Sequence, residues 1–290
     1  MKAVYKKGDL KFFMKNRTLY HYCDCADFYS IITNKNFRLS NIFESNDSME
    51  RRWLDSHIQK VFESLNGTEQ MKTFQSSVHK CYELNRDIAP YAIAFSEEGD
   101  LLSQWRGYAN DAHGFSIGMN VDYFNLKEEI PSPSHVPDAT IGILKILYDE
   151  AQVYSRVEKI IKICWQKFQD DNYVDNSLAM IECSMNLVKL ASFIKNPKFF
   201  EEKEWRILYT PIITQGAEAL GKFANMKFKT TNNGLKSFFE MPFDQTRNVS
   251  PINEIIIGPK NRTTGETLKY FLDLHGLQDC RILRSALSYE

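Results

Sequence analysis

No run in the 290 residues approaches the ~20 consecutive apolar residues of a membrane span, so no membrane association is expected. No secretory leader is expected either, because the opening MKAVYKKGDLKFFMKN is charged throughout and has no continuous apolar segment. Cysteine is sparse and scattered, six in all (Cys23, Cys25, Cys81, Cys164, Cys183 and Cys280). That is a poor disulfide framework for a chain this long, and reduced thiols in a cytoplasmic protein are expected. Neither sign of charge dominates. Lys plus Arg number 36 and Asp plus Glu 37, a net charge of −1. No global field draws nucleic acid or an anionic membrane, although a local basic patch could still bind RNA or DNA. Repeats and low-complexity segments are absent, as are the Rossmann glycine fingerprint and a phosphate-binding loop. Any nucleotide bound here is held some other way.

What is present is ordinary globular composition, 43% hydrophobic and 25% charged, in a chain long enough to bury a sizeable core. LYHYC reads as a strand running into a short helix, ADFYSIITNK, with Phe28, Ile31 and Ile32 on one face, and FRLS returns to extended structure. From Ser48 the spacing of Leu54, Ile58, Val61, Phe62 and Leu65 predicts a helix ended by Asn66-Gly67, and a further helix is predicted over 68–86. YAIAFSE, GFSIGM, ILKILY, EWRILY, EIIIGP and CRIL have strand character, with a helix around GETLKYFLDLHG. Two helical segments precede EWRILY. One carries Val153, Val157, Ile160, Ile161, Cys164 and Phe168 on one face, the other Leu178, Ile181, Met185, Val188 and Ser192. They read as a helical hairpin inserted between strands. Mixed spacing in place of regular βα alternation predicts an α+β fold. One domain over 1–290 is expected, with helical insertions at about 48–88 and 150–195.

Four constellations could carry chemistry. In Tyr20-His21-Tyr22 the histidine is either hydrogen-bonded filler at a strand end or a donor to a ligand hydroxyl, with a neighbouring tyrosine ring to stack on. His21, Cys23 and Cys25 are all zinc-type ligands, but Cys-x-Cys lacks the spacing of a zinc knuckle and no second pair appears. In FSEEGDLLSQWRGYANDAHGF, Ser96 ends an apolar strand, and a polar loop then carries Trp105, Arg106, Tyr108 and Asn110. Such a loop is anchored by a buried tryptophan, or it holds an anionic or planar ligand through the arginine between aromatics. In NPKFFEEKEWRILY, Glu202 and Glu204 point the same way if the strand has begun by Glu202. Two carboxylates so placed repel unless a cation or hydroxyl partners them; a solvated strand end is the alternative.

The order of these pieces carries a resemblance. A histidine ending the first core strand, a serine ending a middle strand and Glu-x-Glu at a later strand resemble the layout of ADP-ribosyltransferases. More closely, the chain resembles the bacterial domain-of-unknown-function family numbered 2971, through LYHYCDCADFYSIITNKNFRLS, ESNDSME, AFSEEGDLLSQWRGYANDAHGFSIGM, FFEEKEWRI, EIIIGP and the closing ILRSALSYE. The transferase resemblance implies a split mixed β-sheet with NAD, as substrate, in the cleft between its halves and no metal. It implies that His21 bonds the nicotinamide ribose, that Tyr22 or Tyr108 stacks near the nicotinamide, and that Ser96 supports the site. Glu204 would be the catalytic carboxylate and Glu202 would orient the incoming nucleophile. His21 stands where one large branch of these enzymes has arginine, whereas Glu-x-Glu belongs to that arginine branch. Arg106 has no clear counterpart and is assigned to the NAD pyrophosphate or to Glu97. Related enzymes act on proteins, DNA or RNA, messenger RNA included, and some are toxins or anti-phage effectors. A macromolecular acceptor, nucleic acid or protein, and an antitoxin partner are therefore expected. Two other classes compete: a non-catalytic nucleotide- or protein-binding sensor, and a Mg²⁺-dependent nuclease using Asp47, Glu50 and Glu97.

Overall fold

A computed structural model describes residues 17–42, 48–65, 67–85, 90–170, 175–214, 218–231, 234–243 and 250–289. Its elements follow in chain order as β1 (Thr18–Cys23), α1 (Cys25–Asn34), β2 (Asn36–Asn41), α2 (Ser48–Ser64), α3 (Glu69–Asn85), β3 (Tyr91–Ser96), α4 (Leu102–Tyr108) and β4 (Phe115–Asn120). Next come β5 (Ile141–Lys145), α5 (Glu150–Gln169), α6 (Asn176–Ala191), β6 (Glu204–Tyr209), β7 (Ile212–Ile213) and β8 (Ala219–Leu220). The chain closes with β9 (Met226–Thr231), β10 (Gly234–Pro242), β11 (Ile252–Ile257), α7 (Gly265–Leu274) and β12 (Arg281–Arg284).

Local chemistry sets the helix starts. Asp24, Asp149 and Asp175 cap α1, α5 and α6, each carboxylate accepting a backbone N–H of the first turn, which satisfies a donor the helix itself leaves free. α1 stops at Lys35, whose φ of 49° is left-handed. Phe28, Ile31 and Ile32 are buried, as their spacing predicts.

Ten strands share one mixed sheet, ordered β12-β11-β4-β1-β3-β2-β10-β9, with β6 pairing β3 and β5 off this path. The pairing of β11 with β12 is parallel and the others are antiparallel. The sheet branches at β3. One edge of β3 pairs with β6 along its whole length. The other edge is shared: Tyr91 and Ala92 pair with β2, and Ser96 pairs with Tyr20 of β1. β1 and β2 therefore share one edge of β3, at its two ends, and Ile93–Phe95 between them have no strand partner on that edge.

Side-chain alternation along the strands builds two cores. Ile93, Phe95, Ile207 and Tyr209 join α1 and α7 on one side. Leu144, Ile146 and Leu208 face the other, against α2, α3, α5 and α6. The two helical insertions, distant in sequence, thus cover one sheet face together, with the α5–α6 pair adjacent.

Four local expectations change. In α6 the buried stripe is Ala179, Cys183, Leu187 and Leu190, whereas Leu178 and Ile181 lie 47% and 44% exposed; small residues let α6 approach its neighbours closely. β5 begins two residues before ILKILY, at Ile141. The stretch Leu102–Tyr108 is a helix, not a loop, and the segment read as polar loops after Tyr209 contains the β9–β10 hairpin. The predicted helix stop at Asn66 lies outside the described residues. Among those residues no helix is long and apolar enough to cross a membrane.

Candidate functional site

His21 sits where the edge of β3 passes from β1 to β2. Between its two short ladders, the edge of β3 offers the Ala94 carbonyl without a strand partner, and the His21 Nδ1 meets it at 2.9 Å. Phe37 and Phe95 flank the imidazole, with centroids 5.9 and 5.8 Å away. Burial lowers the proton affinity of His21 more than the Ala94 carbonyl restores it, so the ring is neutral at pH 7 and Nδ1 carries the donated proton. The side chain occupies a backbone gap, and its other nitrogen is left for a further partner.

Beside it opens a cavity of about 60 Å³ lined by Tyr20, His21, Tyr22, Gln104, Tyr108, Glu202 and Glu204 among others. Tyr20 and Tyr22 also line it, although they alternate with His21 on β1. The Tyr20 hydroxyl donates to buried Glu254 at 2.6 Å, and burial and this carboxylate push its pKa up to about 12. Tyr22 donates to the Glu98 carbonyl (2.8 Å) and accepts from the Leu101 N–H (2.9 Å), with its ring edge-on to Trp105. It is a fixed wall. Tyr108 is half exposed at the mouth, on α4. That helix is anchored by fully buried Trp105, whose indole N–H donates to Asp100 at 2.7 Å.

Glu202 and Glu204 meet by a route the sequence did not suggest. The strand starts at Glu204, not Glu202, and residues 197–202 form a 3₁₀ turn. Lys203, left-handed at φ 44°, links the two. Ser96 fixes this turn from β3, donating its hydroxyl to the Glu202 carbonyl at 2.7 Å. Both carboxylates are buried, and Lys195 lies between them, 2.6 Å from Glu202 and 3.1 Å from Glu204. Arg206 adds bonds of 2.5 and 3.2 Å to the two oxygens of Glu204 and donates to the Ser192 carbonyl. The Tyr148 hydroxyl accepts the Glu204 N–H. Burial alone would raise the Glu204 pKa, but Arg206 and Lys195 outweigh it and hold the carboxyl below its usual range. It is ionised at neutral pH. Two anions and two cations thus form one buried quartet, open to the cavity on its carboxylate side.

His21, Tyr22, Tyr108, Glu202 and Glu204 are therefore brought together, with Ser96 behind them. Arg106 is not with them: it is exposed on α4, its guanidinium 5.8 Å from the Tyr289 ring. Glu97 is held by Lys145 (2.6 Å) and the Trp205 indole (2.8 Å), not by Arg106. Cys23 is buried core, and Cys25 donates to the His113 carbonyl. Of the nuclease ligands, Asp47 and the Glu50 side chain lie outside the described residues. Sequence reasoning missed Lys195, Arg206 in its pairing role, Gln104 and Tyr148. The signal for Lys195 was a lysine ending the apolar run ASFIK, where burial demands an anion.

A model of a family described as Protein of unknown function (DUF2971) matches residues 104–207. No curated protein and no solved structure matches the chain. The matched span runs from Gln104 through Tyr108 to Glu202 and Glu204, so it holds the α4 and carboxylate walls of the cavity, while His21 and Tyr22 lie outside it.

Proposed function

We propose that the protein is an NAD-dependent ADP-ribosyltransferase with an ADP-ribosyltransferase-like split sheet, acting on a macromolecular acceptor as a bacterial toxin or anti-phage effector. One observation carries the reading: His21, two tyrosines of β1, Tyr108 and an ionised, buried Glu204 converge on one cavity. These residue types suit a nicotinamide riboside. Aromatic rings take the nicotinamide, neutral His21 and Glu204 bond ribose hydroxyls, and the carboxylate opposes positive charge on the sugar.

The reaction breaks the bond between nicotinamide and the ribose, and nicotinamide leaves with the electron pair as a neutral ring. An acceptor nucleophile forms the new bond to the same carbon and gives up its proton, for which Glu202 is the adjacent base. Positive charge spreads onto the sugar as the bond breaks, and a fixed anion nearby lowers that barrier electrostatically. At about 60 Å³ the cavity is smaller than the roughly 300 Å³ of ordinary ligand sites. Binding therefore requires the half-exposed Tyr108 side chain at the mouth to swing outward.

A second reading, a non-catalytic nucleotide sensor, draws support from the pairing of both Glu204 oxygens with cations. The two separate in one experiment. Purified protein is incubated with NAD labelled in its adenylate half and with total RNA, DNA or lysate, with and without EDTA, alongside Glu204→Gln. Transfer that survives EDTA and falls by at least ~10²-fold in the variant is expected for the enzyme. Saturable NAD binding without transfer would replace it with the sensor, and EDTA-sensitive degradation without label would favour the nuclease.

A further inference from the structure

His21 stands in the wall of two cavities. The second, of about 110 Å³, lies on its other side and is lined by Ser30, Arg38, Ser40, Lys229 and Asp27 among others. The two differ in charge. The first has Glu202 and Glu204; the second has two cations against one carboxylate. We propose that this second cavity is an anion site for the diphosphate of a nucleotide, held by Arg38 and Lys229; the inference rests on the NAD reading of the neighbouring cavity.

Strand register builds the site. Arg38 and Ser40 share one face of β2, opposite Glu240 and Phe238 of β10. On that same face, Lys227 of β9 lies opposite Phe238 and Lys229 lies opposite Lys236. The face thus carries Arg38, Lys227, Lys229 and Lys236. Glu240 is taken by Lys227 at 2.5 Å and Asp27 by Arg38 at 3.2 Å. Among the described residues Lys229 makes no ion pair, and Lys236 stands directly across the ladder from it. Burial has the largest effect on His21 and lowers its proton affinity; of the charges in this cavity, Asp27 raises it and Lys229 lowers it.

Arg38 is pre-oriented. One guanidinium nitrogen bonds Asp27 and another the Ser30 hydroxyl at 3.0 Å, and the group lies 5.2 Å from the Phe238 ring centroid. A guanidinium fixed in this way presents its remaining N–H groups to phosphate oxygens with little ordering cost. Ser30 and Ser40 add hydroxyl donors. The carboxylates that line the first cavity disfavour a phosphate against them, so the orientation proposed for a dinucleotide is riboside beside Glu204 and diphosphate past His21.

The test is calorimetric titration of the full chain with ADP, inorganic pyrophosphate, nicotinamide and NAD. It compares wild type, Lys229→Gln and the Arg38→Gln/Lys229→Gln double variant, with melting temperatures recorded to verify folding. Wild type is expected to bind ADP and pyrophosphate, weakening about tenfold for each cation removed, with nicotinamide binding unchanged. Lys229→Gln alone keeps the test valid if loss of Arg38 unfolds α1. Tighter binding of ADP than of pyrophosphate identifies a nucleotide site. Equal affinity means a general diphosphate site, and the nucleotide assignment falls. NAD binding that is unaffected in the double variant overturns the proposal and leaves the transferase reading standing. Arg38- and Lys229-dependent ADP binding without NAD or nicotinamide binding does the reverse. Failure of wild type to bind any of them overturns both.

Discussion

Replacing Lys195 by methionine tests the buried quartet most directly. Methionine keeps the unbranched stem and removes the ammonium, leaving Glu202 and Glu204 with Arg206 as the one full cation of the quartet. Removing one partner from a buried ion pair costs about 3–5 kcal/mol. At about 2–4 °C per kcal/mol for a large domain, the melting midpoint at pH 7 falls by on the order of 10 °C. The pH dependence carries the diagnostic. In wild type the Glu204 pKa is depressed on folding from its ordinary 4.5. Its contribution to stability is therefore complete above 4.5 and lost only as pH falls through the lower folded value. In the variant, two carboxylates share one cation in a buried site, so the pair takes up a proton and its folded pKa rises above the unfolded one. A raised pKa contributes stability that is present at low pH and lost as pH rises. The deficit of Lys195→Met relative to wild type should therefore shrink from pH 7 to pH 5, read from urea or thermal unfolding at each pH. A deficit that is constant or widens on acidification would refute the quartet as described.

His21→Gln retains a donor for the Ala94 carbonyl but removes the titration. Because the folded pKa of His21 lies below its ordinary 6.5, wild type loses stability as pH falls from 7 through 6.5. The variant's stability curve should be flatter there, and parallel curves would contradict the burial argument. Asp100 accepts from the Trp105 indole, the Ser285 hydroxyl and the Ala286 N–H. Asp100→Asn should therefore cost roughly 1.5–3 kcal/mol and speed hydrogen exchange at residues 285–289, an effect absent if the tail is held elsewhere. A Cβ on Gly114 would stand 2.0 Å from the Cys23 carbonyl oxygen. Gly114→Ala must then push β1 from the start of β4, and a melting midpoint unchanged within a degree would show that approach to be looser than described.

The strands that form the site were legible because each contains a short apolar run of strand length. The helices that begin at Asp24, Asp149 and Asp175 were legible from the spacing of their apolar residues. Long-range pairing was not. Lys195 lies nine positions before Glu204, in an extended stretch whose place is set by the bridge between Leu147 and Ile194, and no local pattern encodes that. The β9–β10 hairpin escaped because lysines alternate along MKFKTT, which reads as polar loop. Glu202 and Glu204 were identifiable as a pair, but for a different reason than holds. A shared strand face would have set them side by side through the pleat, whereas a 3₁₀ turn and one left-handed lysine bring them to a common cation.

That common cation bears on how the site can react. A lone buried Glu204 would gain a proton and lose the charge that opposes a developing positive sugar. Arg206 and Lys195 keep it ionised, yet they offset its field. The two cations are not equivalent. Arg206 is also tied to the Ser192 carbonyl, and its planar fork is committed to Glu204. Lys195 has a rotatable ammonium on a flexible stem, and its shorter bond is to Glu202 (2.6 Å against 3.1 Å). Under the proposed reading, a ligand bearing positive charge in the cavity would press that ammonium toward Glu202 and leave more of the field of Glu204 for the sugar. On the far side of His21 the charge is reversed, with Arg38 and Lys229 facing the second cavity. A molecule positive at one end and doubly negative at the other matches both cavities at once. A simple anion matches one alone, and a neutral ligand draws on neither.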